Sequence, residues 1–166
     1  MKRGLRISED NFTLPIDTQT QTLVVYGGKG MGKSTLARVL CEELARERLK
    51  FSLFDPLDVA WGLQHGATHQ DTGIDVVILG GIHGDIAIEP TAGKIVADFV
   101  VDEDVSTIVA PRAASGQLWS AGERIRFAAD YFSHLYARQG EQRKPLMLPI
   151  DECGRYCPQN PGRHGD

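Results

Sequence analysis

Gly27-Gly-Lys-Gly-Met-Gly32-Lys33-Ser34-Thr35 is the stretch from which the fold of this chain is read. A glycine, four further residues and then Gly-Lys-Ser make a pattern that suits a phosphate-cradling loop. Backbone N–H groups can converge on a phosphate only where the chain winds tightly, which glycine permits without a Cβ clash. A helix opening near Lys33 adds unsatisfied N–H groups and the positive end of its dipole. In this loop Lys33 is expected on the β and γ phosphates, and the Ser34 hydroxyl on Mg²⁺. Gly27, Gly28, Lys29, Gly30, Met31, Gly32 and Thr35 complete the expected nucleotide-binding set, with ATP and Mg²⁺ as the expected ligands.

The flanks agree with that reading. Before the loop, Thr22-Leu-Val-Val-Tyr26 is a short apolar run of the kind that forms a buried parallel strand. After it, Leu36, Leu40 and Leu44 recur every four residues, with Arg38, Glu42, Arg46 and Lys50 on the other side. This predicts an amphipathic helix over about 33–50.

Further along, strands are expected at 51–54, 75–79, 106–110 and 146–150, with a short one at 86–88. A helix is expected over about 92–101. Another is opened by the capping-box sequence Ser120-Ala-Gly-Glu123 and stopped by Gly140. Strands alternating with helices indicate an α/β domain with a mostly parallel sheet and flanking helices. The expected organisation is a polar segment over 1–21, a core over 22–152 and a Gly/Pro-rich tail over 153–166.

Hydrolysis needs a second acidic system. Leu146-Met-Leu-Pro-Ile150 is an apolar strand leading into Asp151-Glu152. Asp151 is expected to reach Mg²⁺ through a water, and Glu152 to act as general base on the attacking water. Lys33 and Glu152 are thus the expected catalytic residues. Pro149 is an awkward residue for a strand with neighbours on both sides, because it lacks a backbone donor.

Composition sets the outer limits. The chain has 166 residues, enough for one domain with a sizeable core. A net charge of −4 argues against a surface coated in DNA-binding charge, though not against a basic stripe inside a channel. No apolar run is long enough to span a membrane, and no signal peptide is evident. With three cysteines, this points to a cytoplasmic setting. Cys153, Cys157 and His164 fall short of a four-ligand zinc site. His65, His69 and His83 lack accompanying acids at metal spacing. Trp61 and Trp119 read as packing residues, and Arg124, Arg126 and Arg138 as a solvated helix face.

The chain resembles the HerA-type ATPases of the HerA/FtsK superfamily, ring-forming DNA translocases and helicases. The resemblance runs through Tyr26 to Thr35, Phe54-Asp-Pro-Leu-Asp58, Val77-Ile-Leu-Gly-Gly-Ile-His-Gly-Asp85, Glu89-Pro-Thr-Ala-Gly93 and Ile150-Asp-Glu-Cys153. It implies a P-loop NTPase fold of the RecA or additional-strand type. It also implies a hexameric ring with ATP at subunit interfaces, DNA in the channel, and a nuclease or defence protein as partner. Asp55 matches an acidic position of the family, but a turn cap before Pro56 accounts for it equally well. Family members continue well beyond the Asp-Glu pair, so the resemblance implies an N-terminal portion of the ATPase domain. The alternatives are an ATP-binding interaction module without turnover and, fitting less well, a small-molecule P-loop kinase.

Overall fold

The computed structural model describes residues 4–8, 10, 12–65 and 73–156. Three parallel strands form its sheet: β3 (Ser52–Phe54), β5 (Ser106–Val109) and β4 (Val76–Leu79), in that order, with β5 central. Ahead of them, β1 (Gly4–Arg6) and β2 (Thr13–Pro15) make a separate antiparallel pair. Segment 146–150 lies along the far side of β3, held by parallel bridges from Met147 to Phe51 and from Ile150 to Phe54.

The period of two in each strand splits the core into two faces. Phe54, Leu79 and Val109 point to one side. There they meet Val96, Ala97, Val100 and Val101 of α3 (Gly93–Asp102), and Phe127, Ala128, Tyr131 and Leu135 of α4 (Ala121–Gln142). Leu53, Ile78 and Ile108 point to the other side. They pack with Leu40, Cys41 and Leu44 of α1 (Lys33–Arg46), with Leu63 of α2 (Gly62–His65), and with Leu5 of β1. The domain is therefore α/β, a parallel sheet with helices on both faces. Burial pushes the Cys41 thiol far above its usual range and leaves it inert.

The side of the sheet facing α4 carries one polar cluster. The Thr107 hydroxyl donates to Ser52 Oγ at 2.7 Å, and Ser52 Oγ shares a 2.8 Å hydrogen bond with the Tyr131 hydroxyl. All three residues are fully buried.

The capping box forms as expected. Ser120 Oγ accepts from Glu123 N–H, and the Glu123 carboxylate accepts from Ser120 N–H at 2.8 Å. Hydrogen bonds from the Ser120 hydroxyl and backbone hold the Glu123 carboxyl below the usual glutamate range. Ser120→Ala should lower stability by about 1 kcal/mol near neutral pH. A folded-state pKa below the unfolded one stabilises above the unfolded value, and the gain is lost as pH falls through the folded value. The difference between the two proteins in urea melts should therefore shrink on acidification below the glutamate range.

Besides the short strand expected at 86–88, of which only a bridge from Ile86 to Leu79 forms, four expectations need correction. Residues 1–21 are not irregular throughout, since β1 and β2 pair and a short 3-10 turn covers Ile16–Thr20. Gly140 does not stop α4, which runs on to Gln142 and ends on Arg143 in the left-handed region. One glycine weakens a helix by about 1 kcal/mol, too little to end one whose other turns are packed. Arg138 is no solvated ornament: its guanidinium donates to Asp98 and Asp102, tying α4 to α3.

The fourth correction concerns Thr22–Tyr26. This run is not a sheet strand, and among the described residues no backbone hydrogen bond joins it to another segment. Val24 is 81% exposed and Tyr26 99%. Apolar composition favours a strand, but a strand is completed by a ladder partner, and here none is in place.

A second open edge lies at 146–150. Met147 N–H donates to Lys50 C=O, Ser52 N–H to Met147 C=O, and Phe54 N–H to Pro149 C=O. Residues 147, 149 and 151 thus face β3, while Leu148 and Ile150 turn their backbone groups outward. Pro149 removes a rung on the paired side and does nothing to guard the outer edge, the usual service of an edge proline. The purified chain should therefore self-associate increasingly with concentration. Sedimentation velocity across a concentration series checks this, and a monomer at every concentration would show the edge to be harmless.

Candidate functional site

The site is assembled at the carboxyl ends of β3 and segment 146–150, where parallel sheets place ligand crevices. Gly30 and Gly32 have φ of +79° and +82°, the left-handed region. Any side chain there would be strained, and these two residues turn the loop into α1. Gly32 is the N-cap of α1, which begins at Lys33. Lys33, Ser34 and Thr35 therefore occupy its first turn, where the N–H groups are unsatisfied.

Lys33 is folded back on the loop. Its ammonium donates to the C=O groups of Gly27 and Gly28, both at 3.0 Å. Met31 N–H closes the turn weakly on Gly28 C=O at 3.4 Å. Residues 28–32 are otherwise exposed, so the loop is open to an incoming anion.

Ser34, Asp55 and Asp151 line one small cavity of about 10 Å³, together with Leu53, Ala37, Arg38, Val59 and Ala60. Asp151 is half-buried, and its carboxylate accepts from Glu152 N–H at 2.9 Å. Asp151 N–H donates to Phe54 C=O, which anchors the acid beside β3. Glu152 is exposed and sits in the left-handed region at φ +51°, opening a 3-10 turn over Cys153–Arg155. Backbone strain of this kind in a non-glycine residue is common at functional positions.

Ser34 and Asp151, both expected at the site, line one cavity, and Asp55, left undecided by the sequence, lines it too. Asp55 is only 2% exposed. Its Oδ2 accepts from Val59 and Ala60 N–H at 2.7 Å each, and Oδ1 from Leu57 N–H at 3.3 Å. Burial raises its pKa, against the pull of these three backbone donors. Asp58, whose role sequence reading missed, accepts from Ile82 N–H at 2.8 Å and clasps the loop after β3 to the loop after β4. His83 is exposed and stacks on Trp61 with ring centroids 4.1 Å apart. The only signal for either contact was the position of these residues just past strand ends.

The donor set suits Mg²⁺. A hydroxyl and two carboxylates are hard oxygen donors, and Mg²⁺ typically takes one or two protein ligands, substrate phosphates and several waters. Among the described residues no group of three or more His, Cys, Asp or Glu could form an all-protein cage. Cys153 is exposed, while Cys157, His164 and His69 lie outside the described residues.

A much larger cavity lies elsewhere. An open groove of about 1210 Å³ runs beside α1, with Arg38, Glu42, Arg46, Lys50, Asp75 and Asp104 among its walls. Of the glycine loop and the first turn of α1 it includes only Thr35. The chemistry points to the small cavity instead, because a loop with its lysine folded inward presents an open surface rather than a hollow.

Comparison with protein-family models, with curated proteins and with solved structures finds no match for this chain. Among the described residues no helix is long and apolar enough to cross a membrane.

Proposed function

We propose that this chain is the Mg·ATP-binding, ATP-hydrolysing module of a HerA-like DNA translocase or helicase, with a P-loop NTPase fold. The observation that carries the reading is one juxtaposition. The glycine loop delivers Lys33 and Ser34 into the first turn of α1, and Ser34 shares a cavity with Asp151 at the end of a parallel segment.

On this reading, the loop N–H groups and Lys33 bind the triphosphate. Ser34 and Asp151 would hold Mg²⁺, the acid through a water. When bound, the metal neutralises charge on the β and γ oxygens. Glu152 takes the proton of the attacking water. A homo-oligomeric ring with DNA in its channel, and a nuclease or defence partner, follow from the sequence resemblance alone. The low, odd cysteine count points to a cytoplasmic location.

A second reading, an ATP-binding interaction module without turnover, is favoured by Thr22–Tyr26. That segment leads into the phosphate loop without a strand beside it. Steady-state ATP hydrolysis by the 166-residue chain, with and without DNA, separates the two. DNA-stimulated turnover is expected from a translocase module, and tight Mg·ATP binding without turnover from the second reading.

A further inference from the structure

Arg112 stands just past the central strand β5 with its charge unanswered. Among the described residues its guanidinium makes no hydrogen bond or ion pair. Of its three nitrogens only Nε is shut off from water, and the residue as a whole is half-buried. Arg138 also has an enclosed Nε, but it spends its other nitrogens on Asp98 and Asp102. A buried donor without an acceptor costs free energy and calls for a reason, of which a bound ion is one. The enclosed Nε holds the guanidinium in place, and its outer nitrogens make a preset fork for an anion.

The loops after β3, β4 and β5 meet around this residue, at the end of a parallel sheet where ligands bind. Gly81 N–H donates to Arg112 C=O at 3.0 Å, and Ile82 N–H to the Asp58 carboxylate at 2.8 Å. The next residue, His83, is exposed and stacks on Trp61 with the ring planes 26° apart. Two residues of chain span at most about 7 Å, so His83 stays near the backbone of Arg112. The acids of these loops are engaged elsewhere. Asp58 accepts from Ile82 N–H, and Asp85 from Ile78 N–H and the Gln64 amide. An unpaired guanidinium beside a backed aromatic face is the chemistry that takes a phosphate and a base together.

We propose that Arg112 and the Trp61–His83 pair form a second ligand site for one nucleotide unit, free or within a single strand. Its phosphate lies on the fork of Arg112 and its base on the outer face of His83, with Trp61 holding the imidazole in plane. None of the three residues lines the cavity of Ser34 and Asp151. The site is therefore separate from the glycine loop and independent of the Mg·ATP reading.

The test uses the full chain carrying Lys33→Ala, in EDTA, so that the glycine loop competes little. Calorimetry measures AMP, fluorescence anisotropy a labelled short oligothymidylate, and nuclear magnetic resonance titration inorganic phosphate. Arg112→Gln should weaken the bound nucleotide probe and inorganic phosphate alike, by about tenfold or more, as for a charge-assisted contact. His83→Ala should weaken the nucleotide probe by about tenfold, the scale of one stacked base, and leave inorganic phosphate unchanged. An oligothymidylate far tighter than AMP assigns the unit to a single strand, and one no tighter assigns it to a free nucleotide. Binding of neither probe, affinities unmoved by either substitution, or equal losses of nucleotide and phosphate in His83→Ala overturn the proposal. If Arg112→Gln fails to fold, irradiation of the wild-type chain with 8-azido-AMP and peptide mass spectrometry answer instead. An adduct on Trp61 or His83 is expected, and labelling confined to other peptides overturns the site.

Discussion

Glu152→Gln should leave Mg·ATP affinity nearly intact while slowing turnover by about 10²–10⁴-fold, the range for a positioned general base. The amide keeps the size of the side chain and its hydrogen-bonding reach but cannot take a proton. Because Asp151 is anchored through its N–H to Phe54 and through its carboxylate to Glu152 N–H, the backbone at this corner should not move. Single-turnover hydrolysis alongside nucleotide binding checks the split. Wild-type turnover in Glu152→Gln would place the base elsewhere. Asp151→Asn should behave differently, raising the Mg²⁺ concentration needed for half-maximal rate.

Lys33→Ala should weaken Mg·ATP binding at least tenfold, since a charge-assisted contact contributes about 1.5–3 kcal/mol. The ammonium already has two partners, the C=O groups of Gly27 and Gly28. Binding therefore exchanges carbonyls for phosphates, and the measured loss is the difference between the two sets of bonds. The substitution also frees those carbonyls, so the loop should become more mobile while the fold persists on its buried helix face. Calorimetry on the folded variant decides: unchanged affinity would remove Lys33 from the site.

The parts of this structure legible in the sequence are those fixed by neighbours in the chain. The glycine loop, the start of α1 and the Ser120 capping box are local arrangements, and each stands where the residues indicate. Strands β3, β4 and β5 were legible because apolar runs between glycines and prolines have few other homes. Thr22–Tyr26 has the same composition and is not a strand, because strand identity depends on an edge supplied by distant residues. Pro149 was read as a threat to the sheet, yet the direction of its nitrogen, which decides the matter, depends on register with β3. Asp55 was undecidable for the same reason. Its capping role depends on where the turn places the N–H groups of Leu57, Val59 and Ala60.

The chain of hydroxyls from Thr107 through Ser52 to Tyr131 acts as an index mark between α4 and the sheet. Oily side chains cohere in many offsets, so the apolar layer by itself would let a long helix slip by a turn with little penalty. Three buried hydroxyls accept only the one alignment that pairs them all, because any other leaves a polar oxygen stranded. Ser52 opens β3, and Asp55 directly follows its last residue, Phe54. The alignment chosen by the hydroxyls is therefore inherited by the acid that follows the strand, and the floor of the candidate site takes its height from a contact on the opposite face of the sheet.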